Sequence, residues 1–517
     1  MFLVNRFIRA RRPSVHHSKQ VRLQQQIRFL RSQFLQGSDL PLSDVLSKTV
    51  IMQALAAIDS CWKQRIYSPM VTLWVFLGQV LGADHSCRSA VARLIADRVA
   101  NGLTRCSSAT GAYCQARKRL PEKFFSIMAC GTGRELEANV DASWLWNGRH
   151  VYMFDGSTVS MADTVQNQKE YPQIYNQKPG VGFPLARMGV IVSLACGAVL
   201  DLKICAYSGK GTGEVSLLRR LWGLFRAGDV VLTDSLLSSW TELMMLKQRD
   251  IDSVSRLNKA RRSADFRRGK RLSKGDHIVS WPKPIMPRTM DKETYDALPD
   301  SLSVREVRVK IEKAGFRTKT VVVVTTILDP GEASKEDLAE LYFKRWNNEL
   351  DLRCIKTTMQ MEELRCKTPE LVRKEIWTHI LAYNLIRTIM AQAATKHDVL
   401  PRTISFKATI QTMEAFQPLL AFHSLYCKPI LDQLFQLVID IIVANRVANR
   451  PDRFEPRRKK RRPKPYDRLM KPRSEMKRQM LQGNFAKLSA IRATDPCLTE
   501  SNPAKTSWWY ILKMRKA

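Results

Sequence analysis

A chain of 517 residues is too long for one core, and at roughly 100–200 residues per domain it is expected to hold two to four. Its 84 Lys+Arg against 48 Asp+Glu give a formal charge of +36, spread along the chain, which asks for a polyanionic partner and exceeds what an acidic small-molecule site needs. Apolar residues at 44% suffice for large buried cores and exclude general disorder.

Residues 1–145 read as a helical domain with a basic arm. Up to residue 38 the chain has eight Arg/Lys and no acid. Its first residues, MFLVNRFIRARRP, lack the apolar stretch and small-residue cleavage site of a secretory signal. From Leu40 to Ala129 apolar residues recur at three- and four-residue spacing. The most apolar run, Met70–Leu81, is broken by Gly78 and Gln79 and reads as a buried helix, so no membrane span is expected. Residues 85–121 read as helix, Asn-Gly turn, second helix and Pro stop, a candidate helix-turn-helix. Its second helix carries Arg117, Lys118 and Arg119, which would meet phosphates or base edges, or else form a plain solvated face.

Over 146–256 the texture changes to short β-rich runs. VYMFDGSTVSM, RMGVIVSLACGAVL and LKICAYS precede a helix and the strand DVVLTDS, an α/β order that resembles the ribonuclease H arrangement. Residues 257–330 form a basic, β-rich insertion; Arg256–Arg288 alone holds eleven Arg/Lys against two Asp. Residues 331–450 return to helix after Asp329-Pro330-Gly331, with Glu336 and Asp337 in the first turn. Residues 451–517 are a basic tail, Arg457–Arg462 being unbroken Arg/Lys. The eleven cysteines form no CxxC pair and the eight histidines lack ligand spacing, so neither a disulfide framework nor a His/Cys metal site is expected.

Two aspartates stand at the ends of or within apolar β-rich runs, Asp155 in VYMFDGST and Asp234 in DVVLTDS. Alone, each is most simply a turn cap. In the helix LAELYFKRWNNELDLRCIKTTMQ, Tyr342, Arg345, Glu349 and Lys356 fall at about 0°, 300°, 340° and 320°, an arc of roughly 60°, and Arg353 near 20° extends the stripe. A solvated ladder of i,i+4 charge pairs is the simpler explanation of that face alone. Two strand-borne carboxylates and a helical one nevertheless meet the requirement of two-metal phosphoryl transfer, which needs hard oxygen ligands and a shared carboxylate holding the ions about 4 Å apart. Arg345, Arg353 and Lys356 would then position phosphates.

The string Tyr342-x-x-Arg345-x-x-x-Glu349 followed by Lys356 is similar to the Y-R-E-K signature of bacterial cut-and-paste DDE transposases of the insertion sequence 4 family. DGSTVSMADT with YPQIYNQKPGVGFPLAR, and GDVVLTDSLLSSW, resemble that family's first and second aspartate regions, the likeness extending from about Ser47 to Leu385. The resemblance implies a ribonuclease H-like catalytic core interrupted by a β-rich insertion. It implies Asp155, Asp234 and Glu349 as catalytic metal ligands for two Mg²⁺ or Mn²⁺ ions, and Tyr342, Arg345 and Lys356 as contacts to transposon-end DNA. Many relatives have Asp-Arg where this chain has Asp234-Ser235, which bears on a phosphate contact and not on the ligand. Some relatives stack a flipped base on a Trp of the insertion, which makes Trp281, in VSWPKP, a candidate DNA contact beside its simpler reading as a packing residue. The expected partners are double-stranded DNA, as terminal inverted repeats and target, and a second copy in a homodimeric synaptic complex. The expected location is the bacterial cytoplasm, at the nucleoid. A nuclease that cuts without joining, or an inactive element-derived DNA-binding protein, are the alternatives, the intact acid set arguing against the latter.

Overall fold

The computed structural model describes residues 15–58, 62, 65–258, 263–287, 290–310, 320–423, 428–447 and 469–482. Residues 1–172 and 184–457 form one compact unit; a second comprises 173–183 and 458–517. Most of the basic tail, and residues 259–262 of the basic insertion, lie outside the described residues. Within the second unit, the loop Gln173–Phe183 is organised by one side chain. The Gln173 amide donates to the Gln177 and Lys178 carbonyls, and its oxygen accepts from the Gly180 and Gly182 N–H groups.

The main unit opens with helices α1 (Val15–Ser32), α2 (Lys48–Ala56), α3 (Pro69–Leu81), α4 (Cys87–Ala100), α5 (Gly111–Arg119) and α6 (Glu122–Ala138). Their starts follow local chemistry: the Ser47, Ser68 and Ser86 hydroxyls accept from Val50, Val71 and Ser89 N–H groups, and Pro69 opens α3 where its missing donor costs nothing. The sheet follows with β1 (Val151–Met161), α7 (Val165–Glu170), β2 (Leu185–Ser193), β3 (Val199–Ala206), α8 (Glu214–Arg219), β4 (Val230–Leu232), α9 (Trp240–Lys247) and β5 (Asp252–Arg256). Next come β6 (Lys270–Ser273), β7 (Asp276–Pro282), α10 (Lys292–Asp296), β8 (Ser301–Lys310) and β9 (Thr320–Thr325). The chain then runs through α11 (Lys335–Lys344), α12 (Trp346–Arg353), β10 (Glu363–Leu364), α13 (Pro369–Lys396), α14 (Phe406–His423) and α15 (Lys428–Ala444).

One sheet orders the strands β3-β2-β1-β4-β5-β9-β8-β7-β6, with β10 added beside the far end of β1. β1 is antiparallel to β2 and parallel to β4, and β4 is parallel to β5. The basic β-rich segment therefore does not stand apart: β9 pairs antiparallel with β5, so its strands prolong the central sheet.

Helices cover both faces because alternate residues of β1 face opposite ways. Val151, Met153, Val159 and Met161 join the core shared with α1–α6 and α11–α15, whereas Tyr152 and Phe154 join the one containing Leu217 and Leu218 of α8. α13 is buried on nearly every side from Val372 through Ile380 and Tyr383 to Ala394, including the polar Lys374, Glu375, Asn384 and Arg387. One core cluster runs from Ile27 to Ile442, which ties the N-terminal helices to the C-terminal ones. Among the described residues no helix is long and apolar enough to cross a membrane.

Arg117 corrects one expectation. It is 4% exposed, its guanidinium stacks over Phe76 and Tyr113, and it donates to the Gln79 side-chain oxygen at 3.2 Å, so it stabilises the interior and reaches no DNA surface. Lys118 and Arg119, beside it, are exposed.

Candidate active site at the end of the central strands

The parallel pairing of β1 with β4 ends with Met153 opposite Leu232, and Asp155 and Asp234, each two residues further on, lie within charge range of each other. Both strands are apolar up to that point; β4 ends there and the chain turns away after Asp234, whereas β1 continues past Asp155 to Met161, still paired with β2. Asp155 accepts the Gly156 N–H at 2.8 Å through Oδ1. Asp234 caps the short turn Ser235–Leu237 by accepting the Leu236 N–H at 2.8 Å, also through Oδ1. Asp234 thus has a turn-capping role, Asp155 does not, and each carboxylate has one oxygen engaged.

Glu349 arrives on α12. The side chain two residues on, Asp351, points the opposite way and anchors the helix: it is 1% exposed, paired with Arg387 of α13 and held by Arg402 at 3.1 Å. Arg387 donates in turn to the Tyr383 hydroxyl at 2.8 Å. A buried pair with hydrogen-bonded partners fixes helix rotation more than it adds stability. With Asp351 turned inward, Glu349 faces Arg345 at 3.0 Å, and Arg345 lies within charge range of Tyr342 and Asp155. Arg345 therefore links the helical acid Glu349 to the strand acid Asp155.

The face carrying Tyr342, Arg345 and Glu349 is nearly continuous, since Arg345, where α11 meets α12, keeps helical angles. Past Arg353 the helix loosens into a π turn over Cys354–Thr358, so Lys356 departs from the uniform 100° advance assumed for it. Arg353 is exposed and Lys356 half-buried.

A fourth acid, Glu214, joins this group. Burial pushes the Asp155 carboxyl up to about 6, and the neighbouring Glu214 and Asp234 charges add to the rise while the Gly156 hydrogen bond and Arg345 oppose it. Glu214 is itself raised by burial and by Asp234, and lowered by Arg187. A single sequence gave no signal for Glu214, which opens an unremarkable short helix.

Among the described residues no group of three or more His, Cys, Asp or Glu side chains is gathered tightly enough to hold a metal ion as the side chains stand. The donor set nevertheless fits a hard divalent cation in its chemistry: all the acids offer oxygen, and crowded, partly buried carboxylates raise one another's affinity for a positive charge. Glu349 would exchange its Arg345 partner on joining such a site.

Trp281 does not belong to this cluster and is corrected as a stacking platform. It is 3% exposed and packs with Trp240, Leu302 and Val304. Its indole N–H donates to Glu306 at 3.0 Å, and its carbonyl accepts the Trp240 N–H at 3.0 Å. Its ring is core, and no face of it lies open to a base.

Residues 146–385 match the transposase DDE domain family. Over 359 residues the chain is 26% identical to transposase InsG of insertion sequence element IS4 from Escherichia coli K12, which covers 68% of this chain and 77% of that protein. Among solved structures it is similar to the piggyBac transposase synaptic complex with hairpin DNA, at 8% identity and a TM-score of 0.40, covering 80% of this chain and 85% of that one.

Proposed function

We propose, for a chain that is a DDE transposase of the insertion sequence 4 family, that it binds the terminal inverted repeats of its element, cuts the DNA strands there and joins the freed 3′ ends to target DNA. The observation that supports this reading is Arg345, which pairs with Glu349 and lies within charge range of Asp155, itself within charge range of Asp234. The order β3-β2-β1-β4-β5, with β2 antiparallel between β1 and β3, supports a ribonuclease H-like core whose acids sit at that strand end.

Asp155, Asp234 and Glu349 would hold two Mg²⁺ or Mn²⁺ ions. Bound there, the ions supply Lewis acidity to the attacking and leaving oxygens of an in-line displacement. The chain's own residues do the rest. Arg345, freed from Glu349, turns its guanidinium toward a phosphate oxygen, the bidentate partner that its planar fork suits. Tyr342 beside it, with Arg353 and Lys356 farther along the helix, binds the end duplex through its backbone. α12, locked in rotation by Asp351, Arg387 and Arg402, holds Glu349 against the strand acids while DNA moves. DNA binds in two places, as element end and as target, and a second copy of the chain synapses the two ends.

Cleavage of a labelled duplex carrying the element's own end tests this reading. Cutting is expected with Mg²⁺ and not with chelator, and Asp155→Ala is expected to abolish it while the shifted protein–DNA band persists. Metal-independent cutting, or full activity of Asp155→Ala, would refute it.

A further inference from the structure

Glycines face each other across the first two strands: Gly156 on β1 is the register partner of Gly189 on β2. Both lie under α8. A Cβ on Gly189 would come within 2.8 Å of the Leu217 Cβ, and a Cβ on Gly156 would fall on the Glu214 carboxylate, 2.6 Å from its Cγ and Cδ. Glu214 and Leu217 are three residues apart, on one face of the helix. The glycine pair is a cradle that lets this face sink onto the backbone, and the sinking delivers a carboxylate beside Asp155. Among the described residues no hydrogen bond or ion pair within 4.0 Å holds that carboxylate. Arg187, the cation nearest in charge terms, donates instead to the Thr212 carbonyl at 3.1 Å and stacks over Tyr207. A half-buried acid without a partner, set next to two other acids, is costly unless a cation joins it.

We propose that Glu214 is a fourth carboxylate ligand of the divalent-cation site, reaching it from the sheet face opposite Glu349. α12 contributes Leu352 to the core on one face, and α8 contributes Leu217 and Leu218 to the core on the other. The two glutamates thus close on the Asp155–Asp234 edge from both sides. With acids on two faces, Asp155, Asp234, Glu214 and Glu349 would together offer the cations four carboxylates. Gly156 has a stated task in this arrangement, since any side chain there would displace the Glu214 carboxylate.

The inference rests on the metal-dependent reading above, and its test separates the two. Mn²⁺ is titrated into the full-length, metal-free protein, the free ion being followed by electron paramagnetic resonance, and melting temperatures are recorded with and without Mn²⁺. Glu214→Gln is expected to weaken Mn²⁺ affinity roughly 10–100-fold and to shrink the Mn²⁺-dependent rise in Tm, without lowering the metal-free Tm. Glu214→Asp, one methylene shorter, is expected to fall between. Wild-type Mn²⁺ affinity in Glu214→Gln overturns the inference, as does a loss of affinity that appears only with a lower metal-free Tm, the mark of a structural role. If the wild type takes up no Mn²⁺, or Asp155→Asn binds it as well as wild type does, the metal-site reading itself fails.

Discussion

Replacing Asp155 by Asn should make the metal-free protein more stable at neutral pH while disabling it. Burial and the flanking Glu214 and Asp234 charges lift the Asp155 carboxyl from its ordinary 3.8 to about 6. That difference corresponds to about 3 kcal/mol by which the folded protein prefers the neutral form. The sign follows from proton counting. Above about pH 6 the carboxylate is ionised folded and unfolded, and the folded state bears the full cost; as pH falls through 6 it takes up a proton before the unfolded chain does, and the cost fades; below 3.8 both states are protonated and it is gone. Asn is neutral throughout, and its side-chain oxygen can accept the same Gly156 N–H. In chelator at pH 7.5, Asp155→Asn is therefore expected to gain up to about 3 kcal/mol, about 5 °C in Tm for a cooperative unit of a few hundred residues. The gain should shrink steadily between pH 6 and pH 4. Urea or thermal melts of both proteins in parallel measure it. A variant no more stable than wild type at pH 7.5, or a gain that does not depend on pH, would refute the electrostatic picture of the site.

Trp281→Ala should cost about 3–5 kcal/mol, because it empties a core position and leaves Glu306 without its indole donor; a melt within 1 °C of wild type would instead mark the ring as a surface element. Arg117→Ala should likewise destabilise, by about 3 kcal/mol through lost packing over Phe76 and Tyr113 and one lost hydrogen bond to Gln79, with DNA affinity of the folded fraction unchanged; a selective loss of binding at wild-type Tm would return it to the interface. Binding of the element end should weaken linearly in log–log terms as salt rises, losing roughly 10³-fold or more between 50 and 200 mM if six or more phosphates are contacted. Titration by fluorescence anisotropy would reveal a flat response if phosphate contacts do not dominate.

What the sequence discloses of this protein is what local periodicity can carry. Asp155 and Asp234 end runs whose apolar character marks buried central strands, and the Tyr342–Arg345–Glu349 face follows from helical spacing alone. The prolonged sheet does not: β5 meets β9 across some 65 residues of chain, a pairing that no local pattern encodes. Glu214 is illegible for the same reason, since its placement depends on two glycines meeting across strands beneath a helix. Arg117 and Trp281 show the converse, where basic or aromatic character suggests a surface contact and tertiary packing turns the side chain inward. The π turn at Lys356 is a local departure with no sequence mark, coming where the helix leaves Arg353 for the strand β10.

The most direct test of the proposed three-acid site is strand joining itself. A labelled element end with a free 3′-hydroxyl is mixed with supercoiled plasmid and Mg²⁺, using wild type and Glu349→Gln, with end binding of each verified by mobility shift. Glu349 is partly exposed on a helix anchored by Asp351, so its amide variant is expected to fold and bind. The wild type should yield covalently joined end–plasmid product and the variant none. Joining by Glu349→Gln at the wild-type rate would contradict the assignment of the third acid, and cutting without any joined product by the wild type would make the protein a nuclease instead.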